Sequence, residues 1–196
     1  MSYEYDIFLS YCGKDEACEW VRRHFHPMLS GKLGQEMPDA PRIFIDREME
    51  NGVRWRNTIL RALRHSRILL AIWNPAYFRS EWCQAEWQTI LERERAENVP
   101  GHEPGYLYSV IYGDGEYFPD EAAARQDTKF HEHAYSSAAY AESKEYIEFE
   151  KAVTQVAKKI AARLMTVPEW RDDWPTMDPD TVQMKEMKRV TKIPSL

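Results

Sequence analysis

Four short apolar runs, each followed by a stretch of helical periodicity, limit this chain to very few architectures. The runs are Tyr5 to Ser10, Ile43-Phe44-Ile45, Ile68 to Trp73 and Tyr106 to Tyr112. Short apolar runs of this kind, bounded by turn residues, read as buried strands. Between them Ala17, Trp20, Val21, Phe25, Met28 and Leu29 recur at helical spacing, as do Trp55, Ile59, Leu60 and Leu63. A helix from Glu81 passes through Trp87, Ile90 and Leu91 to a charged end, Glu92 to Asn98. Ile147, Val153, Val156, Ile160 and Leu164 trace one face of a long last helix. Strands alternating with helices imply a parallel sheet between two helix layers.

Local signals set the expected boundaries. Gly31 and Gly34 are expected to end the first helix, and Pro27 to kink or shorten it. Asn51-Gly52 marks a turn in the polar segment after the second strand. The stretch Asp120 to Gln126 is read as a short helix and Lys129 to Ala134 as a fifth strand. Composition changes after Met165, which divides the chain into a domain of residues 1–165 and a tail of residues 166–196 rich in Trp and Pro. Trp170 and Trp174 are expected to dock on the domain, because tryptophans are unusual on a disordered tail. The charged stretch from Val182 to Leu196 is expected to fray.

Bulk properties exclude several classes. Hydrophobic residues make up 43% of the 196, enough for a full core, and no run is apolar enough to span a membrane. The start of the chain does not have the layout of a signal peptide. A net charge of −6 argues against nucleic acid as a partner. The charge is uneven, however. Seven arginines between Arg42 and Arg67 face only Asp46, Glu48 and Glu50, a surplus that suits a small anion such as a pyrophosphate. Cys12, Cys18 and Cys83 have neither framework nor zinc spacing, so a reduced, cytoplasmic setting is expected.

The richest segment in chemistry follows the third strand. After the turn at Asn74-Pro75, Ser80 is placed to cap a helix on which Trp82 and Glu86 lie four apart and share a face. A carboxylate and an indole are thereby offered together just beyond a strand's carboxyl end, where open α/β sheets bind ligands. Trp87 lies on another face and reads as core. Cys83 has no histidine placed to activate it and reads as a buried thiol. His131 and His133 share a face if their segment is a strand, but no third ligand accompanies them, and no metal is expected.

Taken together, Tyr5 to Tyr11, Ile43 to Asp46, Asn51 to Trp55 with Ile59, Ala62 and Ser66, Leu70 to Tyr77 and Ser80 to Trp87 resemble a TIR (Toll/interleukin-1 receptor) domain of the bacterial type. Their order and spacing over residues 3 to about 112 make the likeness specific. The resemblance implies a flavodoxin-like three-layer α/β/α sandwich with five parallel strands. It implies one of two activities: cleavage of the nicotinamide–ribose bond of NAD+, or non-catalytic self-association through the loop after the second strand, Arg47 to Trp55. In the NAD+-cleaving class the helix after the third strand carries a catalytic glutamate, which matches Glu86 in a Trp82-Cys83-x-x-Glu86 pattern. NAD+ is then a substrate and no cofactor is needed. The family commonly serves in antiphage defence, or as secreted effectors, and its enzymes often work only when assembled.

The residues suit that chemistry. Cleaving an N-glycosidic bond builds positive charge on the ribose. Nicotinamide leaves a cationic precursor as a neutral group, so one carboxylate suffices to stabilise the sugar cation. Trp82 is placed to stack on nicotinamide or cover the ribose. Ser10, Tyr11 and Lys14 of the first-strand loop, with Asp46, Arg47 and Arg54 of the second, are candidates to meet the substrate and its pyrophosphate. Cys12-Gly13 stand where enzymatic relatives often carry basic residues. A nucleoside deoxyribosyltransferase-like enzyme, which also uses a glutamate on N-glycosidic bonds, is a third reading. A phosphoacceptor receiver is disfavoured, since Ser10-Tyr11 rather than an acidic cluster ends the first strand.

Overall fold

The structure is a computed structural model that describes residues 2–13, 15–45, 53–99, 105–113, 115–125 and 128–188, without the side chains of Val53 and Arg54. Strands β1 (Tyr5–Ser10), β2 (Ile43–Ile45), β3 (Ser66–Trp73), β4 (Leu107–Ile111) and β5 (Thr128–Lys129) form one sheet. All neighbours are parallel and the order is β2-β1-β3-β4-β5. That order is flavodoxin-like, with its direction of winding reversed between β1 and β3. The crevice at the carboxyl ends of those two strands is the place such sheets reserve for ligands.

Side-chain alternation sends each strand's residues to two separate cores. Ile7, Leu9, Ile68, Leu70, Ile72, Tyr108 and Val110 face the layer made by α1 (Glu16–Trp20), α2 (His26–Glu36) and α7 (Tyr146–Leu164). Phe8, Leu69, Ala71, Trp73, Leu107 and Ile111 face the layer of α3 (Val53–Arg64), α4 (Pro75–Arg79) and α5 (Glu81–Ala96). The near-continuous apolar runs in the sequence are thus explained, because both faces of the sheet are covered.

Three expectations about boundaries are corrected. Gly31 and Gly34 do not end the first helix; α2 continues to Glu36. Leu29 and Leu33, one turn apart, are fully buried among residues of α7. Each such burial stabilises by roughly 1.5–3 kcal/mol, which outweighs about 1 kcal/mol per helical glycine. Pro27 does leave a mark. Val21–Phe25 between α1 and α2 is a π-helical turn, and Pro27, which has no N–H to give, sits in the first turn of α2. The expected fifth strand from Lys129 to Ala134 is only Thr128–Lys129, and His131–His133 form a 3-10 turn instead. The two histidines therefore do not share a strand face, and no cluster of three metal-ligating side chains exists among the described residues. Ile147, placed on the buried face of the last helix by its spacing, is 59% exposed; Phe149 fills the core there. The short helix after Pro119 is α6 (Asp120–Ala123).

The segment after α7 folds back onto the domain. The Trp170 ring stacks on His65 at 4.9 Å, and Trp174 is buried, with the Arg93 guanidinium 5.0 Å from its ring centroid. Residues 177–188 then run antiparallel to α5. Met177 N–H donates to Thr89 Oγ1 at 2.8 Å, and Gln88 Nε2 donates to the Gln183 carbonyl at 2.9 Å. The Gln84 amide reads both backbone groups of Lys185, each at 2.9 Å. Asp178 and Asp180 both pair with Arg56 of α3. Gln183 and Lys185, which make these bonds, belong to the stretch from Val182 that was expected to fray. No helix among the described residues is long and apolar enough to cross a membrane.

Candidate functional site

Three caps build the site at the carboxyl edge of β3. Asn74 ends the strand and caps α4, its Oδ1 accepting from Tyr77 N–H at 2.8 Å. The other end of the same amide donates to Asp15 Oδ2 at 2.5 Å, and Asp15 caps α1 through Cys18 N–H. The loops after β1 and β3 are thereby tied together. Ser80 then caps α5, accepting from Cys83 N–H at 3.3 Å, as its spacing led one to expect.

These caps bring three oxygen-bearing side chains from three elements to one point. Glu86, in the second turn of α5, is only 7% exposed. Ser10, the last residue of β1, places its Oγ 2.5 Å from Glu86 Oε2 and 3.0 Å from the Tyr77 hydroxyl. Tyr77 is fully buried in α4. Burial first, and then the neighbouring Cys83 and Glu86, push its phenol well above the usual value, so it stays protonated. Burial and the Glu86 charge likewise push the Cys83 thiol up, which removes it as a nucleophile.

One turn earlier on α5, Trp82 is half-buried. Trp55 of α3 meets it edge-on at 4.5 Å, and the Arg56 guanidinium lies 6.0 Å from its ring centroid. Trp87 is fully buried in the core. Of the remaining candidates, Tyr11 follows β1 and packs partly buried against the core shared with α1, α2 and α7. Arg54 lies in the first turn of α3, its side chain outside the described part. Lys14, Asp46 and Arg47 lie outside the described residues, as does most of the loop Arg47 to Trp55. Tyr77 was missed as a site residue. Its one sequence signal is its position three residues after the Asn74 cap, which fixes where a helical side chain points.

The arrangement offers a buried, hydrogen-bonded carboxylate at the switch point of a parallel sheet, with an aromatic surface beside it on the same helix. Such a carboxylate can stabilise a developing positive charge in surroundings of low dielectric. Residues 7–143 match the family model described as the TIR domain. The chain belongs to the TIR domain family. No curated protein matches the sequence. Among solved structures, the TIR domains of the activated Roq1 resistosome, directly recognizing the pathogen effector XopQ, align with 79% of this chain and 84% of theirs. The identity is 21% and the TM-score 0.39.

Proposed function

We propose that this chain is an NAD+ nucleosidase that cleaves the nicotinamide–ribose bond, with Glu86 as its catalytic carboxylate. The observation that carries the reading is the buried Glu86 carboxylate held by Ser10 at the carboxyl edge of β1 and β3. A single oriented carboxylate is what departure of a neutral nicotinamide from a cationic sugar requires. Trp82 supplies an aromatic face to nicotinamide or ribose. Tyr11, Lys14, Asp46, Arg47 and Arg54 are the proposed contacts to the rest of the substrate. Water attacking the ribosyl cation yields ADP-ribose, and an internal nucleophile yields a cyclic product, so the enzyme is a hydrolase or a cyclase. Membership of the TIR family supports this class, with bacterial antiphage signalling in the cytoplasm as its setting.

The resemblance further supports activity that rises on self-association through Arg47 to Trp55. The test is turnover of NAD+ by the purified chain over a wide concentration range, with products separated by mass and retention. Release of nicotinamide, with activity per subunit rising as the protein is concentrated, is expected. A protein that leaves NAD+ intact at every concentration and in cell extract is a non-catalytic interaction module instead. One that turns over nucleosides but not NAD+ belongs to the deoxyribosyltransferase-like reading.

A further inference from the structure

Ser10 stands among the candidates for substrate contact, yet the residue is only 2% exposed and its hydroxyl already lies between two side chains. Ser10 Oγ lies 2.5 Å from Glu86 Oε2 and 3.0 Å from the Tyr77 hydroxyl, so one buried serine hydroxyl bridges the two side chains. Burial keeps the Tyr77 phenol protonated, so the contact is between two neutral hydroxyls.

We infer that Ser10 and Tyr77 are positioning residues that act through Glu86: Tyr77 orients the Ser10 hydroxyl, and Ser10 orients the carboxylate. The inference rests on the proposed role of Glu86. Each member comes from a different element: the end of β1, the single turn α4 and the second turn of α5. The chain of bonds thus holds one carboxylate oxygen relative to the sheet edge rather than leaving it on a helix alone. Backbone constraints fix both supports. Ser10 is in register with Ala71 of β3, and the Tyr77 amide is held by the Asn74 cap. A hydrogen bond to a charged group is worth more than one between neutral groups. Loss of Ser10 is therefore the larger effect and loss of the Tyr77 hydroxyl the smaller.

The experiment is a double-mutant cycle with Ser10→Ala and Tyr77→Phe, read as kcat and KM for NAD+. Ser10→Ala is expected to lower kcat by about tenfold to a hundredfold with KM held within about twofold. Tyr77→Phe is expected to lower it by about threefold to tenfold. Because Tyr77 acts through Ser10, the double variant should match Ser10→Ala alone. A KM that rises while kcat is kept would place Ser10 on the substrate and overturn the inference. So would a double variant whose loss is the product of the two single losses. Crystal structures of wild type and Ser10→Ala supply a readout that does not depend on turnover. If the Glu86 carboxylate keeps its orientation without Ser10, the positioning role fails. If it turns while the wild type leaves NAD+ intact, the positioning stands and the nucleosidase reading alone has failed.

Discussion

At the scale of single residues, the site separates what spacing can tell from what contact alone can tell. Ser80, Trp82 and Glu86 are legible because their relation is local: a cap and one helical turn place them. Tyr77 and Ser10 are 67 residues apart in sequence, and only the pairing of β1 with β3 brings them together. The same holds for Gly105, just before β4. In the fold a Cβ at this position would lie 2.0 Å from Glu94 Oε1. That carboxylate cannot swing aside without cost, because it accepts from the N–H groups of Tyr106 and Leu107, at 2.7 and 3.1 Å, and pairs with Arg125. Gly105→Ala should therefore destabilise the fold by roughly 1–3 kcal/mol, seen as a lower urea midpoint with the slope unchanged. An unchanged midpoint would mean that Glu94 does not anchor the start of β4.

At the scale of elements, propensity was overruled wherever packing had more to offer. Gly31 and Gly34 lie inside α2 because Leu29 and Leu33 are buried beside them. Ile147 followed the period of α7, yet the chain turns Phe149 inward at its first turn. The last segment is the clearest case, since residues 177–188 have no periodicity of their own and take their path from Gln84, Gln88, Thr89 and Arg56. Its two halves differ in what holds them. Trp174 is anchored by burial, whereas Asp178 and Asp180 are 45% and 69% exposed at their ends of the Arg56 pairs. Exposed ion pairs contribute about 0.2–1 kcal/mol and are screened by salt. The double substitution Asp178→Asn and Asp180→Asn should thus leave the melting temperature nearly unchanged. Amide exchange at Met177 and Lys185 should nevertheless become about tenfold faster, as it should for wild type in high salt. Exchange at those two amides that ignores both changes would show that Gln84, Gln88 and Thr89 hold the segment without the ion pairs.

At the scale of the whole molecule, alternation along β1, β3 and β4 divides the sheet's side chains between two cores, and this was the most legible property of the chain. Four of the five strands announce themselves as apolar runs because both faces are covered. The two-residue β5 has no such run and is a strand only because β4 is there to pair with it. Aromatic burial adds a consequence at high pH. Burial raises the phenols of Tyr106, Tyr112 and Tyr140 to about 12 from an ordinary 10.0, and Tyr77 well above 10.0. Acids with raised values in the fold lose their protons first in the unfolded chain. Their contribution is complete below about pH 10 and is lost as pH rises through about 12. Stability measured by urea unfolding should hold level up to pH 9 and fall steeply between pH 10 and 12. A flat profile across that window would contradict the burial of these phenols.

Glu86, set at the switch point of this sheet, is the proposed seat of the chemistry. The decisive measurement compares NAD+ cleavage by wild type and Glu86→Gln at matched concentration and equal melting temperature. The substitution keeps the size and shape of the side chain and removes its charge. Wild type should release nicotinamide, and Glu86→Gln should be slower by about a hundredfold to a thousandfold, with KM little changed. Nicotinamide release at the wild-type rate from a folded Glu86→Gln protein would contradict the proposed role of Glu86.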